Sequence, residues 1–189
     1  FHTRSLLGLW SDVPDLKGRK VLDLSVGPGR TTKALLEMGA VVTATNYDPD
    51  PHPDIPKEAT YVGGVDLNAD LPFPDNSFDG INLKDVFEHL ENPAHIVREC
   101  ARILKPGGIL VFSTPNMLNL ASRVRFLFTG FHEGRKRPIS YAKPLGNAGN
   151  VFIPTFQLVH YLLAQTGFRI EGRKIGIWSM RSVLLAPLL

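Results

Sequence analysis

Residues 20–36 constrain the fold more than any other part of the chain. Val21, Leu22 and Leu24 form an apolar run that carries one acid, Asp23, and the run breaks at Gly27-Pro28-Gly29. A helical stretch from Thr31 to Leu36 follows at once. A strand, a tight glycine turn and a helix N-terminus in this order let a nucleotide-like ligand approach bare backbone. A Cβ at either glycine would hold the ligand off or forbid the turn's dihedrals. The spacing Gly27-x-Gly29-x-x-Thr32 lacks the third glycine of a dinucleotide fingerprint. Together with the absence of a recognisable hydride-transfer site, this argues against a nicotinamide oxidoreductase.

Around this unit, strand patterns at 20–25, 40–46, 59–64, 79–84 and 108–114 alternate with helical patterns at 30–38, 86–89 and 93–104. That alternation predicts a parallel α/β sheet. Lys105-Pro106-Gly107-Gly108 reads as a proline stop with glycines suited to a helix C-terminal cap. Further on, Leu120, Val124, Leu127 and Phe128 share one helical face, 154–166 reads as a helix, and 168–174 and 177–185 read as strands. Pro49-Asp50-Pro51-His52-Pro53 is a loop. With 189 residues and 43% hydrophobic content, one domain spanning 1–189 is the expectation. A net charge of +3 is too mild to imply nucleic acid. The single Cys100 lies in a helical pattern, Ile96-x-x-x-Cys100-x-x-Ile103, and reads as a core thiol. No signal peptide and no apolar run of membrane-spanning length is evident, so a cytoplasmic protein is expected.

The segment Val21-Leu22-Asp23-Leu24-Ser25-Val26-Gly27-Pro28-Gly29 resembles motif I of the class I S-adenosylmethionine-dependent methyltransferases, V-L-D-L-G-C-G-x-G, with Ser25-Val26 in place of Gly-Cys. Four further segments match the same family in the right order. Alignment through Gly39-Ala40-Val41-Val42 puts Asn46 where the family has a ribose-binding acid, with Tyr47 and Asp48 following. A carboxylate offers two acceptor oxygens to two hydroxyls and an amide offers one, so either Asn46 or Asp48 takes that role. Val65-Asp66-Leu67 matches the adenine-binding acid and its apolar neighbour. Leu71-Pro72-Phe73-Pro74-Asp75-Asn76-Ser77-Phe78-Asp79 matches L-P-F-x-D-x-S-F-D of the small-molecule branch, and Lys84-Asp85-Val86-Phe87-Glu88-His89-Leu90 matches motif IV. Arg102 to Gly108 and Ser113-Thr114-Pro115-Asn116 complete the likeness. The resemblance implies a Rossmann-like fold, a mostly parallel seven-stranded sheet with helices on both faces. It also implies S-adenosyl-L-methionine as cofactor, held by Asp23, Ser25, Gly27, Gly29, Asn46, Tyr47, Asp66, Leu67, Lys84 and Asp85. Residues 20–115 would form the cofactor-binding half and 116–189 the acceptor side.

Methyl transfer from a sulfonium is an in-line displacement that needs a base only when the acceptor must lose a proton. His89 is the candidate catalytic base, with Glu88, Asp85, His132, Glu133, His160 and Tyr161 as further titratable groups near the expected site. Some relatives bind a divalent metal at Glu-x-x-Glu-His, but many carry the same E-H-L without one, and no metal is assigned to Asp85, Glu88 and His89. The insertion from Asn116 to about Val151 is long for a connection and reads as a cover over the acceptor. Its cations and aromatics, Arg123 to Phe128 and Arg135-Lys136-Arg137, suit a lipid-like or anionic acceptor, or docking on a membrane surface. A small-molecule or lipid-like acceptor is therefore expected, with no nucleic-acid partner, since no N-P-P-Y-like tetrapeptide occurs. The alternative, prompted by Asn46 and Ser25-Val26, is a non-catalytic S-adenosylmethionine-binding member of the fold.

Overall fold

The computed structural model describes residues 10–13, 15–114, 116, 119–131, 152 and 154–171. Five strands, β1 (Lys20–Leu24), β2 (Val41–Thr45), β3 (Thr60–Val62), β4 (Phe78–Lys84) and β5 (Leu104–Ser113), form one sheet in the order β3-β2-β1-β4-β5. All four pairings are parallel. Among the described residues the helices are α1 (Arg30–Glu37), α2 (Pro93–Ile103), α3 (Leu120–Thr129) and α4 (Phe156–Gln165), a 3-10 turn spans Phe87–His89, and Trp10 and Ser11 are helical as well. The expected seven strands are five among the described residues. Residues 168–171, read as the start of a sixth strand, are irregular, and the rest of that pattern and 177–185 lie outside the described residues.

Side chains of β1 alternate between two cores, as strand geometry requires. Val21 packs with Leu35 of α1, Val42 and Trp10 on one face. Leu22 and Leu24 pack with Ile96, Cys100 and Ile103 of α2 and with Val159 and Leu163 of α4 on the other. Helices therefore cover both faces. Cys100 is fully buried in this second core, and burial pushes its thiol up to about 12, so it is a packing residue.

The cap expected at Lys105-Pro106-Gly107-Gly108 is corrected by the structure. Gly107 and Gly108 do not cap α2: the helix ends at Leu104, which is already extended and whose N–H bonds to the Cys100 carbonyl. The tetrapeptide instead bulges out of β5, so that Lys105-Pro106-Gly107-Gly108 opposes Asp79 alone between the Phe78–Leu104 and Gly80–Ile109 pairs. Lys105 Nζ closes the bulge on Asp79 Oδ1 at 2.7 Å, while Asp79 Oδ2 accepts the Lys20 N–H at 2.9 Å. The face that Val124, Leu127 and Phe128 of α3 share points outward: they are 48, 78 and 80% exposed, and the buried residue of the helix is Ser122.

The loop that leads into β4 is clamped by one ion-paired cluster. Arg102 of α2 donates to both carboxylate oxygens of Glu99, to the carbonyls of Leu71 and Phe73, and to Asp75. Glu99 Oε2 in turn accepts the Leu71 N–H at 2.7 Å. The Arg102 hydrogen bonds hold the Glu99 carboxyl below its ordinary range.

Candidate functional site

Strand order reverses between β1 and β4, because the chain runs outward from β1 through β2 to β3 and then returns to the other side. In open α/β sheets such a switch point leaves a crevice at the carboxyl ends of the strands. Two non-glycine residues with left-handed backbone flank it: Ser25 (φ 57°) just after β1 and Asp85 (φ 50°) just after β4. Such backbone costs of order 1–3 kcal/mol for a residue with a Cβ, and it concentrates at binding sites. Asp85 is held there by Ser113 at the end of β5. The Ser113 Oγ donates to Asp85 Oδ1 at 2.7 Å, and the Asp85 N–H reaches the Ser113 carbonyl and Oγ at 3.2 and 3.1 Å.

Between these points the glycine turn approaches α1. Gly27 (φ 50°) has open space where a Cβ would stand, and Gly29 (φ 70°) is packed against Ile55, with its virtual Cβ 3.0 Å from that side chain. Gly29 is also the N-cap of α1, and no side chain caps this helix. Its first-turn amides and the positive end of its dipole face the turn, a ready site for an anionic group.

Asn46 follows β2; its Oδ1 accepts the Tyr47 N–H at 3.0 Å, and its carbonyl accepts the Val65 N–H. The Tyr47 ring is 72% exposed. Asp48 Oδ1 accepts the Asp50 N–H at 3.2 Å, so Asp48 starts a turn. Asp66, exposed, accepts the Asn68 N–H on Oδ1 at 2.9 Å, and Leu67 beside it is buried in the α2-side core. Ser25, Gly27, Gly29, Asn46, Asp66 and Asp85 thus belong to turns that leave the carboxyl ends of β1, β2, β3 and β4.

Asp23 lies beneath this crevice, 1% exposed. Thr32 Oγ1 donates to its Oδ2 and Asn82 Nδ2 to its Oδ1, both at 2.6 Å, and Asn82 Oδ1 accepts the Trp10 Nε1–H at 3.0 Å. Burial pushes the Asp23 carboxyl up to about 6, against the opposing pull of the Thr32 and Asn82 hydrogen bonds and the charge of Lys84. Both its oxygens are occupied by protein groups, so Asp23 acts under the turn rather than at the crevice surface. Thr32, Asn82 and Trp10 were not singled out from sequence as site residues. The available signals were a polar Asn82 between Ile81 and Leu83 of a buried strand, which demands a partner, and Gly80 mid-strand, which marks a close approach.

Of the titratable candidates, His89 is 40% exposed, with Nε2 3.9 Å from Glu88 Oε1. Glu88 is 3% exposed and its Oε2 has no hydrogen-bond partner. Burial raises its carboxyl above the ordinary value. The Glu88 carbonyl accepts the Phe152 N–H at 3.0 Å, which ties the far end of the long insertion to this turn. His160 and Tyr161 of α4 are exposed; His132, Glu133 and residues 132–151 of the insertion from Asn116 to about Val151 lie outside the described residues. Among the described residues no group of three His, Cys, Asp or Glu side chains is placed to hold a metal ion. A cavity of about 1130 Å³ runs along the outer edge of β5, lined by Leu104–Phe112 and 166–171. It is not the crevice, since none of Ser25, Gly27, Asn46, Asp66 or Asp85 lines it.

Residues 22–112 match the family described as Methyltransferase domain. The chain is 31% identical over 92% of its length to a probable S-adenosylmethionine-dependent methyltransferase of Mycobacterium tuberculosis, covering 64% of that protein. A counterpart from Mycolicibacterium smegmatis is 30% identical over 90% of the chain and 67% of its own length. A ubiquinone biosynthesis O-methyltransferase of Xylella fastidiosa is 37% identical over 71% of the chain and 61% of its own length. The chain thus spans between 45 and 67% of the length of the curated relatives it matches. An S-adenosylmethionine-dependent methyltransferase from Mesorhizobium loti, 20% identical, shares the fold with a TM-score of 0.62 over 96% of this chain and 88% of its own. The motif order along the chain, the crevice at the sheet's switch point and these relatives agree: the chain belongs to the class I S-adenosylmethionine-dependent methyltransferases.

Proposed function

We propose that this chain binds S-adenosyl-L-methionine at the carboxyl ends of β1, β2 and β4 and transfers its methyl group to a small-molecule or lipid-like acceptor. The observation that carries the reading is the crevice itself, with Gly27 open at the position a Cβ would fill and an uncapped α1 behind it. A carboxylate fits the α1 N-terminus, Asn46 faces the ribose position, and Asp66 with Leu67 provides an acceptor and an apolar wall for an adenine. Asp85 and the backbone of Lys84, after β4, would border the sulfonium, and Asp23, buried beneath the turn, would supply negative charge to the same region. When bound, the cofactor supplies a methyl group already activated by positive charge. The protein's part is then to orient donor and acceptor, to exclude water and, for a hydroxyl or amine acceptor, to take a proton at His89.

The acceptor class has two supports. Curated relatives include enzymes named for ubiquinone biosynthesis, and α3, which leaves the carboxyl end of β5, turns Val124, Leu127 and Phe128 outward next to Arg123. The same surface suits contact with a membrane; no helix among the described residues is long and apolar enough to cross one. A non-catalytic binder of S-adenosylmethionine is the second reading, favoured by Asn46, whose one carbonyl oxygen already accepts the Tyr47 N–H. Calorimetry with S-adenosylmethionine and its demethylated product, followed by a methyl-transfer assay against pooled metabolite and lipid extracts, tests both. Binding with turnover supports the methyltransferase, binding without turnover on any acceptor the second reading, and no binding refutes both.

A further inference from the structure

The geometry points to Trp10, which precedes the sheet and touches no part of the crevice surface, as a positioning residue for the cofactor site, acting through Asn82 and Asp23 on the first turn of α1. The inference rests on the cofactor reading above and extends it to a segment outside every motif of the family. The polarity of the chain of hydrogen bonds is forced by its members. An indole N–H can only donate, an ionised carboxylate can only accept, and an amide has one end of each kind. Trp10 therefore fixes which way the Asn82 amide faces. With the carbonyl engaged by the indole, the NH₂ end is delivered to Asp23 Oδ1, and Asp23 Oδ2 is left to hold Thr32.

The four groups are buried to the same degree, with Trp10 and Asp23 at 1% and Thr32 and Asn82 at 0% exposure, so water does not substitute for a missing member. Asp23 and Asn82 are direct register partners across β1 and β4, the two strands that flank the switch point. The sheet is shaped for the indole as well. A Cβ at Gly80 would stand 2.8 Å from the far edge of the Trp10 ring, so the glycine in mid-strand is the space the ring occupies. Thr32 belongs to the first turn of α1, three residues after the Gly29 cap. Its hydroxyl is the link by which the buried chain sets the helix end that faces the crevice.

The charged group that acts on Asp23 is Lys84 of β4; its hydrogen-bond partners, Thr32 of α1 and Asn82 of β4, are uncharged, as is Trp10 behind Asn82. If the indole fixes the amide, Trp10→Phe frees Asn82 to turn, weakens its hydrogen bond to Asp23 and makes the carboxyl easier to protonate.

Two measurements decide the matter. Trp178→Phe leaves Trp10 as the sole indole of the chain. Its emission is expected to titrate once, near pH 6, and to lose that titration in the additional Asp23→Asn variant. A flat profile between pH 5 and 8 in the folded Trp178→Phe protein overturns the relay, whether or not any cofactor binds. By calorimetry at pH 7.5, Trp10→Phe is expected to weaken S-adenosylmethionine about fivefold to tenfold, on the scale of one buried hydrogen bond, and to move the acid limb of binding to higher pH. An affinity within twofold of wild type and an unmoved acid limb overturn the positioning role. If Trp10→Phe does not fold, the emission titration, made on the intact indole, still decides whether the relay exists, and Asn82→Leu replaces Trp10→Phe in the calorimetry. Failure of the wild-type chain to bind S-adenosylmethionine would instead sink the cofactor reading, a result separate from the emission profile.

Discussion

Replacing Asp23 by Asn should stabilise the protein while weakening its cofactor. The folded chain pushes the Asp23 carboxyl from 3.8 up to about 6, chiefly by burial. At about 1.36 kcal/mol per pK unit, keeping it ionised in the fold costs roughly 3 kcal/mol. A raised carboxyl favours the fold most below pH 4, and that contribution is lost as pH rises through 6. Asn is a permanently neutral stand-in for the protonated acid, and its hydrogen bonds can be met. Its carbonyl accepts from Asn82 Nδ2, and its NH₂ donates to Thr32 Oγ1, a hydroxyl that can accept. At pH 7.5 the variant should gain up to about 3 kcal/mol, or up to about 6–12 °C in melting temperature for a chain of this size. Below pH 4 the two proteins should converge. Cofactor affinity should fall, since a buried negative charge beneath a cationic ligand has been removed. Thermal unfolding of both proteins from pH 4 to 8, with calorimetric titration at pH 7.5, provides the check. An Asp23→Asn protein that is no more stable than wild type at pH 7.5, with the same pH slope, would refute the assignment of Asp23 as a buried, costly charge.

Three substitutions probe the crevice more directly. Gly27→Val places a β-branched side chain at φ 50° in the open space of the turn and should abolish S-adenosylmethionine binding while circular dichroism stays native; unchanged affinity would remove the turn from the site. Asp66→Ala should cost about 1.5–3 kcal/mol of cofactor affinity through the loss of one hydrogen bond to a charged acceptor, read by calorimetry against the demethylated product as well. Asn46→Asp should hold or raise affinity because it restores a second acceptor oxygen, and a large loss would mean that the ribose is held elsewhere.

The parts of this fold that were legible in the sequence are those with local punctuation. Strand β1, the glycine turn and α1 announce themselves by an apolar run, two glycines and a return to helical spacing, and α2 by Asn92-Pro93, which supplies both its cap and its first residue. Gly107-Gly108 misled because glycines after a helix look alike whether they cap it or form a bulge in the next strand. Periodicity grouped Leu120, Val124, Leu127 and Phe128 on one face of α3, but it carries no information about which way that face points. The support under the crevice was illegible for a different reason. Asp23 finds Asn82 across 59 residues of sequence, and Asn82 finds Trp10 across 72. Only the register of a parallel sheet brings such distant groups together.

The two cores separated by the sheet are unequal, and that inequality has a dynamic consequence. Among the described residues, 18 buried side chains make up the core on the α2 and α4 face, against 7 on the face that holds Trp10 and α1. On the described residues, the α1 face is expected to open first under native conditions, because local unfolding follows the density of apolar contacts. Amides of α1 should therefore exchange with solvent well before those of α2. A ligand seated on the N-terminus of α1 then tightens the part of the molecule that is weakest without it. The protein's resistance to proteolysis would report on how much donor is present, leaving the thicker layer and its helices free to diverge with the acceptor.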